Sequence, residues 1–515
     1  MLRTIRAFWH DQRGIALVLV AIMLPAIIGF SLLVIDLSRA NNLQNDLQKA
    51  ADAFSLAGAA ELDGFPGSWG RAERAMATLV DNESNFSTSG RFTLTSGQPG
   101  GTARCNSAGN ISWCFLKAIP PADGTQITTA NQATYLADPT PAVGEDETRY
   151  IQVKVTPTGF DTLFPISFLP GGTDNSWTIG AVATAGFTSG VCEYTPVFMC
   201  NPYEDTTITG GVTLEQAAQT RQYRRRQIKL RGDGYYFPGN FAFLASPFGN
   251  GANQLEKMLA DSKPQNCYSR DGVDTEPGQN AGPVENGINS RFGINSSNYS
   301  DGPAVNVRKG AKNWDQYVKS NKVEYETDPT KGVGLERDSC QISGSCTMMG
   351  GRMGGGDWNL SRYWKANHPL RDSGHGAGNL PDALSGTGAD LPTRYETYKY
   401  ELDPNGDGNT SDNIVGDAAV SGEKGTPPAG AGTPISTPDR RLLYGAILDC
   451  NALKASGMNF SGRLTGIPVR RFASFFITEP IRDGKDIFVE LVDITGKGGS
   501  GTLDNYLRDE AQLYR

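Results

Sequence analysis

Residues 14–35 read GIALVLVAIMLPAIIGFSLLVI, 22 positions without a charge. A helix rising about 1.5 Å per residue covers roughly 33 Å over that length, enough to cross a hydrocarbon core of about 30 Å. Pro25 and Gly29 are costly inside a soluble helix, but a membrane span tolerates them because neighbouring helices and local backbone adjustment re-satisfy the freed groups. The stretch predicts a transmembrane helix over 14–35. Arg3, Arg6 and Arg13 precede it, and the charges that follow, Asp36, Arg39, Asp46, Lys49 and Asp52, are sparse and mixed. By the positive-inside rule residues 1–13 are a cytoplasmic basic tail and everything from residue 36 lies across the membrane. A cleaved signal peptide has an apolar middle of only about 7–15 residues. The first small-x-small site here, Ala57-Gly58-Ala59, also comes late, so an uncleaved anchor is expected.

The helical pattern does not end with the span. Ala40, Leu43, Leu47, Ala50, Phe54 and Ala57 recur at spacings of three and four, one apolar stripe continuing into water. A single helix over 14–62 follows, with 36–62 its extension beyond the membrane, stopped by Gly64 and Pro66. With fewer than three heptads, the stripe is expected to pack on the protein's own domain or on a partner's span rather than in a free coiled coil. The small residues around Ala50, Ala57 and Gly58 would let another backbone approach closely, as in a bundle of such helices.

Outside the anchor the chain reads as a soluble protein of two or three domains: 515 residues, 38% hydrophobic, with 62 Gly and 29 Pro that predict long irregular loops. A formal charge of -8 argues against nucleic acid as a partner. Eight cysteines, Cys105, Cys114, Cys192, Cys200, Cys267, Cys340, Cys346 and Cys450, all lie beyond the span. An even number in an oxidising compartment reads as disulfides. Zinc is disfavoured because no C-x-x-C pair occurs. Local bridges Cys105 to Cys114 and Cys192 to Cys200 each close a short loop, and the other four cysteines stay open.

Arg13-Gly14-Ile15-Ala16, Leu24-Pro25, Val34-Ile35-Asp36, Leu47-Gln48-Lys49-Ala50-Ala51-Asp52-Ala53 and Leu56-Ala57-Gly58-Ala59, in that order and spacing, resemble the N-terminal segment of TadE/TadG-like proteins. These are components of the Tad (tight adherence) machinery that assembles Flp pili, a type IVb pilus, in bacteria. The resemblance covers about the first 60 residues. It implies an inner-membrane anchor, a periplasmic body and other Tad assembly proteins, TadE-like subunits among them, as partners. Two features depart from the family. Prepilin-peptidase substrates carry a glutamate at the fifth position after the cleaved glycine, where Gly14 is followed by Leu19, so processing is not expected. A von Willebrand factor A domain would need a metal-binding Asp-x-Ser-x-Ser loop. Asp36-Leu37-Ser38-Arg39-Ala40 lacks the last serine, and Asp174-Asn175-Ser176-Trp177-Thr178 does not cap an apolar strand.

The fold expected is α+β: the anchor helix, a small β-rich domain over 63–190 and a larger loop-rich mixed α/β domain over 191–515, with long loops near 268–310 and 372–438. In the first domain a short helix is expected near 69–82 and strands over 91–95, 151–156, 164–168 and 178–187. In the second, residues 440–450, 469–477 and 486–492 have the content of core strands closing a sheet begun near Gln227. Six cations among residues 221–231, Arg221, Arg224, Arg225, Arg226, Lys229 and Arg231, read first as a solvated or ion-paired face, then as a docking patch for an acidic partner, and last as a polyanion site. The glycine-rich run MMGGRMGGGD at 348–357 lacks the lysine and hydroxyl residue of a phosphate loop and reads as a loop approaching other backbone closely. His368 and His375 sit in loop-like sequence with no nucleophile or metal-ligand motif beside them, so no catalytic residue is assigned and no enzyme is expected. Asp403, Asn405, Asp407 and Asn409 have the alternation that wraps calcium in the first half of an EF-hand loop, but the twelfth position is Ile414, and a simple turn uses the same residues. Calcium is the cofactor this loop would take. The function expected is thus a non-enzymatic, membrane-anchored scaffold in Tad/Flp pilus assembly; the alternative is a membrane-anchored envelope binding protein, such as a calcium-dependent adhesin.

Overall fold

Unbroken apolar periodicity with no glycine or proline between residues 30 and 57 leaves the helix nothing to stop it at the end of the uncharged run. In the computed structural model it runs as α1 (Arg13–Ala59), 47 residues with Pro25 inside. The structure describes residues 13–79, 82–83, 91–92, 100–122, 125–165, 176–205, 207–230, 240–246, 249, 251–270, 272–278, 280–294, 299, 301–305, 334–368, 380–414, 433–458, 462–481 and 486–514. They form two compact units, Met1–Thr188 with Asp509–Arg515, and Ser189–Arg508. The last residues, expected with the larger domain, therefore run in the first unit.

In the first unit α1 is followed by α2 (Ser68–Ala77) and by strands β1 (Asn82–Glu83) and β2 (Arg91–Phe92), which pair with each other. Next come β3 (Cys105–Ala108) and β4 (Ile111–Leu116), a hairpin closed by Gly109 at positive φ and Asn110. That two-residue Gly-Asn turn is a hairpin signal legible in the sequence. Two long strands, β5 (Tyr150–Asp161) and β6 (Ser176–Cys192), continue the sheet, and β15 (Leu507–Leu513) pairs with β6. The strand expected over 164–168 is not formed at Phe164 and Pro165, and 166–168 lie outside the described residues, as do 93–95. Ile151, Val153 and Val155 of β5 stand opposite Ala185, Ala183 and Ala181 of β6. With Trp113 and Phe115 of β4 they share one buried face and one core with Leu43, Leu47, Ala50 and Phe54 of α1. The C-terminal half of the helix is thus the spine of this unit.

The second unit is built on a seven-stranded sheet. Its strands are β7 (Val197–Cys200), β8 (Gln227–Lys229), β9 (Asn240–Leu244), β11 (Thr275–Pro277), β12 (Leu442–Leu448), β13 (Arg471–Ile477) and β14 (Phe488–Ile494), in the order β11-β9-β7-β12-β13-β14-β8. The three C-terminal runs are its central strands, and β8 at Gln227 is its edge. β12 runs parallel to β7, and the other pairs are antiparallel. Every residue of β12 and β13 is buried, which explains their continuous apolar runs. A short strand, β10 (Cys267–Ser269), pairs with residues 190–192.

The regions expected as long loops hold helices. α3 (Ala252–Ala260) lies before the first; α4 (Ala281–Ser290) is within it; α5 (Leu360–Asn367) precedes the second; and α6 (Arg394–Leu402) is inside that. α6 opens on a capping box of Thr393 and Glu396. The T-x-x-E spelling carries that signal in the sequence, amid surrounding glycines and prolines.

Much of what connects these segments is polar. Arg291, fully buried, donates to the carbonyls of Leu259, Asp261, Arg440 and Leu442, and Arg441 donates to those of Ile477 and Thr478 beneath the rings of Phe292, Tyr398 and Phe476. Carbonyls in irregular segments have no ladder partner, and a guanidinium with five fixed donors satisfies several at once.

Candidate functional site: the anchor helix and the buried charge clusters

Two environments meet on α1. From Val18 to Ile35 most of its large apolar side chains stand exposed, Ile22 at 69% and Phe30 at 71%, while Leu32 and Leu33 are half-buried. At Asp36 the pattern reverses. This carboxylate is fully buried, takes Arg39 Nη1 at 3.0 Å on one oxygen and the backbone N–H of Phe164 at 2.6 Å on the other. Arg39 also reaches the Asp161 carbonyl at 3.2 Å. Asp36 is therefore bonded into the protein, not shaped as the start of a metal-binding loop; residues 174 and 175 of the other candidate lie outside the described residues.

Ala50 is fully buried in the core of the first unit, Ala57 is half-buried, and Gly58 is buried where a Cβ would come 2.8 Å from Ile151 Cδ1 and 3.3 Å from the Met76 sulfur. Close approach is required here, but by β5 and α2 of the same unit. Gln44 and Gln48, polar positions on the same helix, donate to the Gly180 and Val182 carbonyls at 3.3 and 3.2 Å. Both faces of the extension are thus tied to β5 and β6.

The eight cysteines form four disulfides: Cys105–Cys114, Cys192–Cys267, Cys200–Cys450 and Cys340–Cys346. The expected Cys192 to Cys200 bridge is corrected. Cys192 stands opposite Cys267 in the β6–β10 register, and Cys200 is level with Leu448, two residues before Cys450. Strand pairing, not loop length, chose the partners.

In the 403–409 loop both carboxylate oxygens of Asp403 face backbone amides, those of Gly406 at 2.8 Å, Asp407 at 3.2 Å and Gly408 at 2.9 Å. Asp407 and Asn409 likewise accept from the amides of Asn409 and Ser411. These oxygens turn to the loop's own donors instead of converging on one point, and among the described residues no group of three or more His, Cys, Asp or Glu is placed to hold a metal.

The cationic run is mostly paired: Arg221 with Asp390, Arg224 with Glu396 and Lys229 with Asp486, while Arg225 lies buried against Trp358 and donates to the carbonyls of Gly356, Trp358 and Pro392. Arg231 lies outside the described residues. A cleft of about 710 Å³ opens beside Arg221, Arg224, Lys399, Glu396 and Asp403, and the two arginines on its wall are the paired ones.

A cluster the sequence did not disclose joins Asp338, Arg394 and Glu490, all buried. Arg394 reaches Asp338 at 2.6 Å and Glu490 at 3.4 Å, and also donates to the carbonyls of Arg225 and Glu336. Asp338 in turn accepts from the amides of Gln227 and Gly356. Burial pushes the Glu490 carboxyl up to about 7, with Arg394 pulling the other way. The glycine-rich run serves this cluster: a side chain at Gly354 would collide with the Asp338 carboxylate. A second buried set joins His368 Nε2 to Glu401 at 2.8 Å, with Tyr363 also donating to Glu401 and Trp364 against the imidazole. His368 is the first residue past α5, its amide donating to the Trp364 carbonyl at 2.7 Å; His375 lies outside the described residues. Both sets are sealed from solvent, so they join segments and do not face a cleft.

Residues 14–61 match the family model described as putative Flp pilus-assembly TadE/G-like. The match spans α1 from its second residue onward and leaves both sheets outside it. Neither the curated proteins nor the solved structures contain a match to the chain.

Proposed function

We propose that this chain is a non-enzymatic, membrane-anchored scaffold of Tad-type Flp pilus assembly, held in the bacterial inner membrane by residues 14–35 with the N-terminus cytoplasmic and both units periplasmic, and working beside TadE-like subunits. The observation that carries the reading is that the family match falls on α1, the helix whose first half has the length and apolarity of a span and whose second half is the spine of the first unit. Four disulfides using all eight cysteines support an oxidising compartment, and the arginine flank supports the orientation. The direct test is gene deletion: Flp-type pili and surface adherence should be lost while pilin is still made. A version in which residues 1–35 are replaced by a cleavable export signal keeps the spine and should reach the periplasm folded, yet fail to restore pili. Normal pili and adherence in the deletion strain would reject the proposal.

A further inference from the structure

We propose that the turn after β5, residues 162–165, is a second membrane contact of this chain, seated in the lipid interface beside α1. The inference rests on residues 14–35 spanning the membrane. The turn lies along the last part of the span: a Cβ at Gly29 would sit 3.5 Å from Phe164 Cε2, and Gly29, Leu32 and Leu33 are half-buried where residues 18–28 are exposed. Gly29 is six residues before the apolar run ends, about 9 Å along a helix. Headgroup regions are roughly 5–8 Å thick on each side, so a ring packed at Gly29 has passed beyond them toward hydrocarbon.

The chemistry of the turn suits that depth. Leu163 presents 54% of its surface outward. Irregular backbone near hydrocarbon must have its polar groups satisfied within the protein. The Phe164 N–H is taken by Asp36 at 2.6 Å, its carbonyl by the Thr162 hydroxyl at 2.9 Å, and the Asp161 carbonyl by Arg39 at 3.2 Å. Asp36 is thus buried at the span's edge because it holds the turn, with Arg39 offsetting its charge. Two contacts with one leaflet fix the rotation of α1 about its axis and the tilt of the first unit, which one helix alone leaves free.

All eight cysteines are in disulfides, so one introduced cysteine is the single free thiol. The full chain is reconstituted in phosphatidylcholine and phosphatidylglycerol vesicles with a nitroxide on Leu163→Cys, on Ile28→Cys within the span, or on the exposed Asn41→Cys beyond it. Collision with oxygen, which concentrates in lipid, is compared with collision with a water-soluble nickel complex. The label at 163 should be shielded from nickel several-fold relative to 41 and favour oxygen, as the label at 28 does. Nickel access at 163 equal to that at 41, with 28 shielded, overturns the inference and leaves the span standing. Nickel access at 28 as well overturns both.

Discussion

Burial changes the chemistry of Glu490. Its carboxyl ordinarily titrates near 4.5 and is pushed up to about 7 by desolvation. Below 4.5 both folded and unfolded chains hold the proton; between 4.5 and 7 the folded chain still holds it and the unfolded one does not. The folded state binds more protons in that window, so this group's contribution to stability is present at low pH and lost as pH rises through 7. Glu490→Gln should therefore melt progressively higher relative to the unaltered protein as pH is raised across the window; parallel melting curves would show that the group titrates normally. At Asp403, three amide hydrogen bonds make the carboxylate a turn-former. Asp403→Ala should lower the melting temperature by the same amount with and without calcium, and a calcium-dependent rise that the substitution abolishes would restore the cation reading.

At the scale of elements, α1 does two jobs with one periodicity. Leu43, Leu47, Ala50 and Phe54 are core residues of the first unit, so a chain beginning at Leu62 removes one wall of that core. Such a chain should lose near-ultraviolet circular dichroism from Trp69 and Trp113 and become protease-sensitive within residues 63–188, whereas a chain beginning at Asp36 should keep both properties. Equal behaviour of the two would mean that the sheet stands without its helix. The same packing assigns a cost to Gly58→Leu of about 1–3 kcal/mol through overpacking against Ile151 and Met76. Loss of pili in that variant therefore reports on folding of the first unit before it reports on contact with another helix.

At the scale of the whole molecule, each unit has a contiguous apolar core. The second also threads irregular segments around its sheet and fixes them with buried arginines and disulfides. Cys200–Cys450 joins β7 to the end of β12 across 250 residues, while Cys340–Cys346 closes six. Loop-closure entropy grows with the length enclosed, so replacing the first pair by serine should cost about 2–5 kcal/mol and lower the melting temperature more than replacing the second. The opposite ranking would place the stabilisation in local order around residues 340–346.

What sequence alone determined here was local and periodic. An uncharged run sets an apolar helix long enough to span a membrane, a three-four spacing carries it onward, and the apolar runs at 440–450, 469–477 and 486–492 announce core strands, because length and period are properties of neighbouring residues. Partners distant along the chain were decided by tertiary structure: which cysteines met, that the stripe of α1 is filled by β5, that Arg394 lies between Asp338 and Glu490, and that Asp36 caps the amide of Phe164. Those pairings follow from strand register and from the need of buried polar groups for partners, and both are satisfied only when remote segments share one interior.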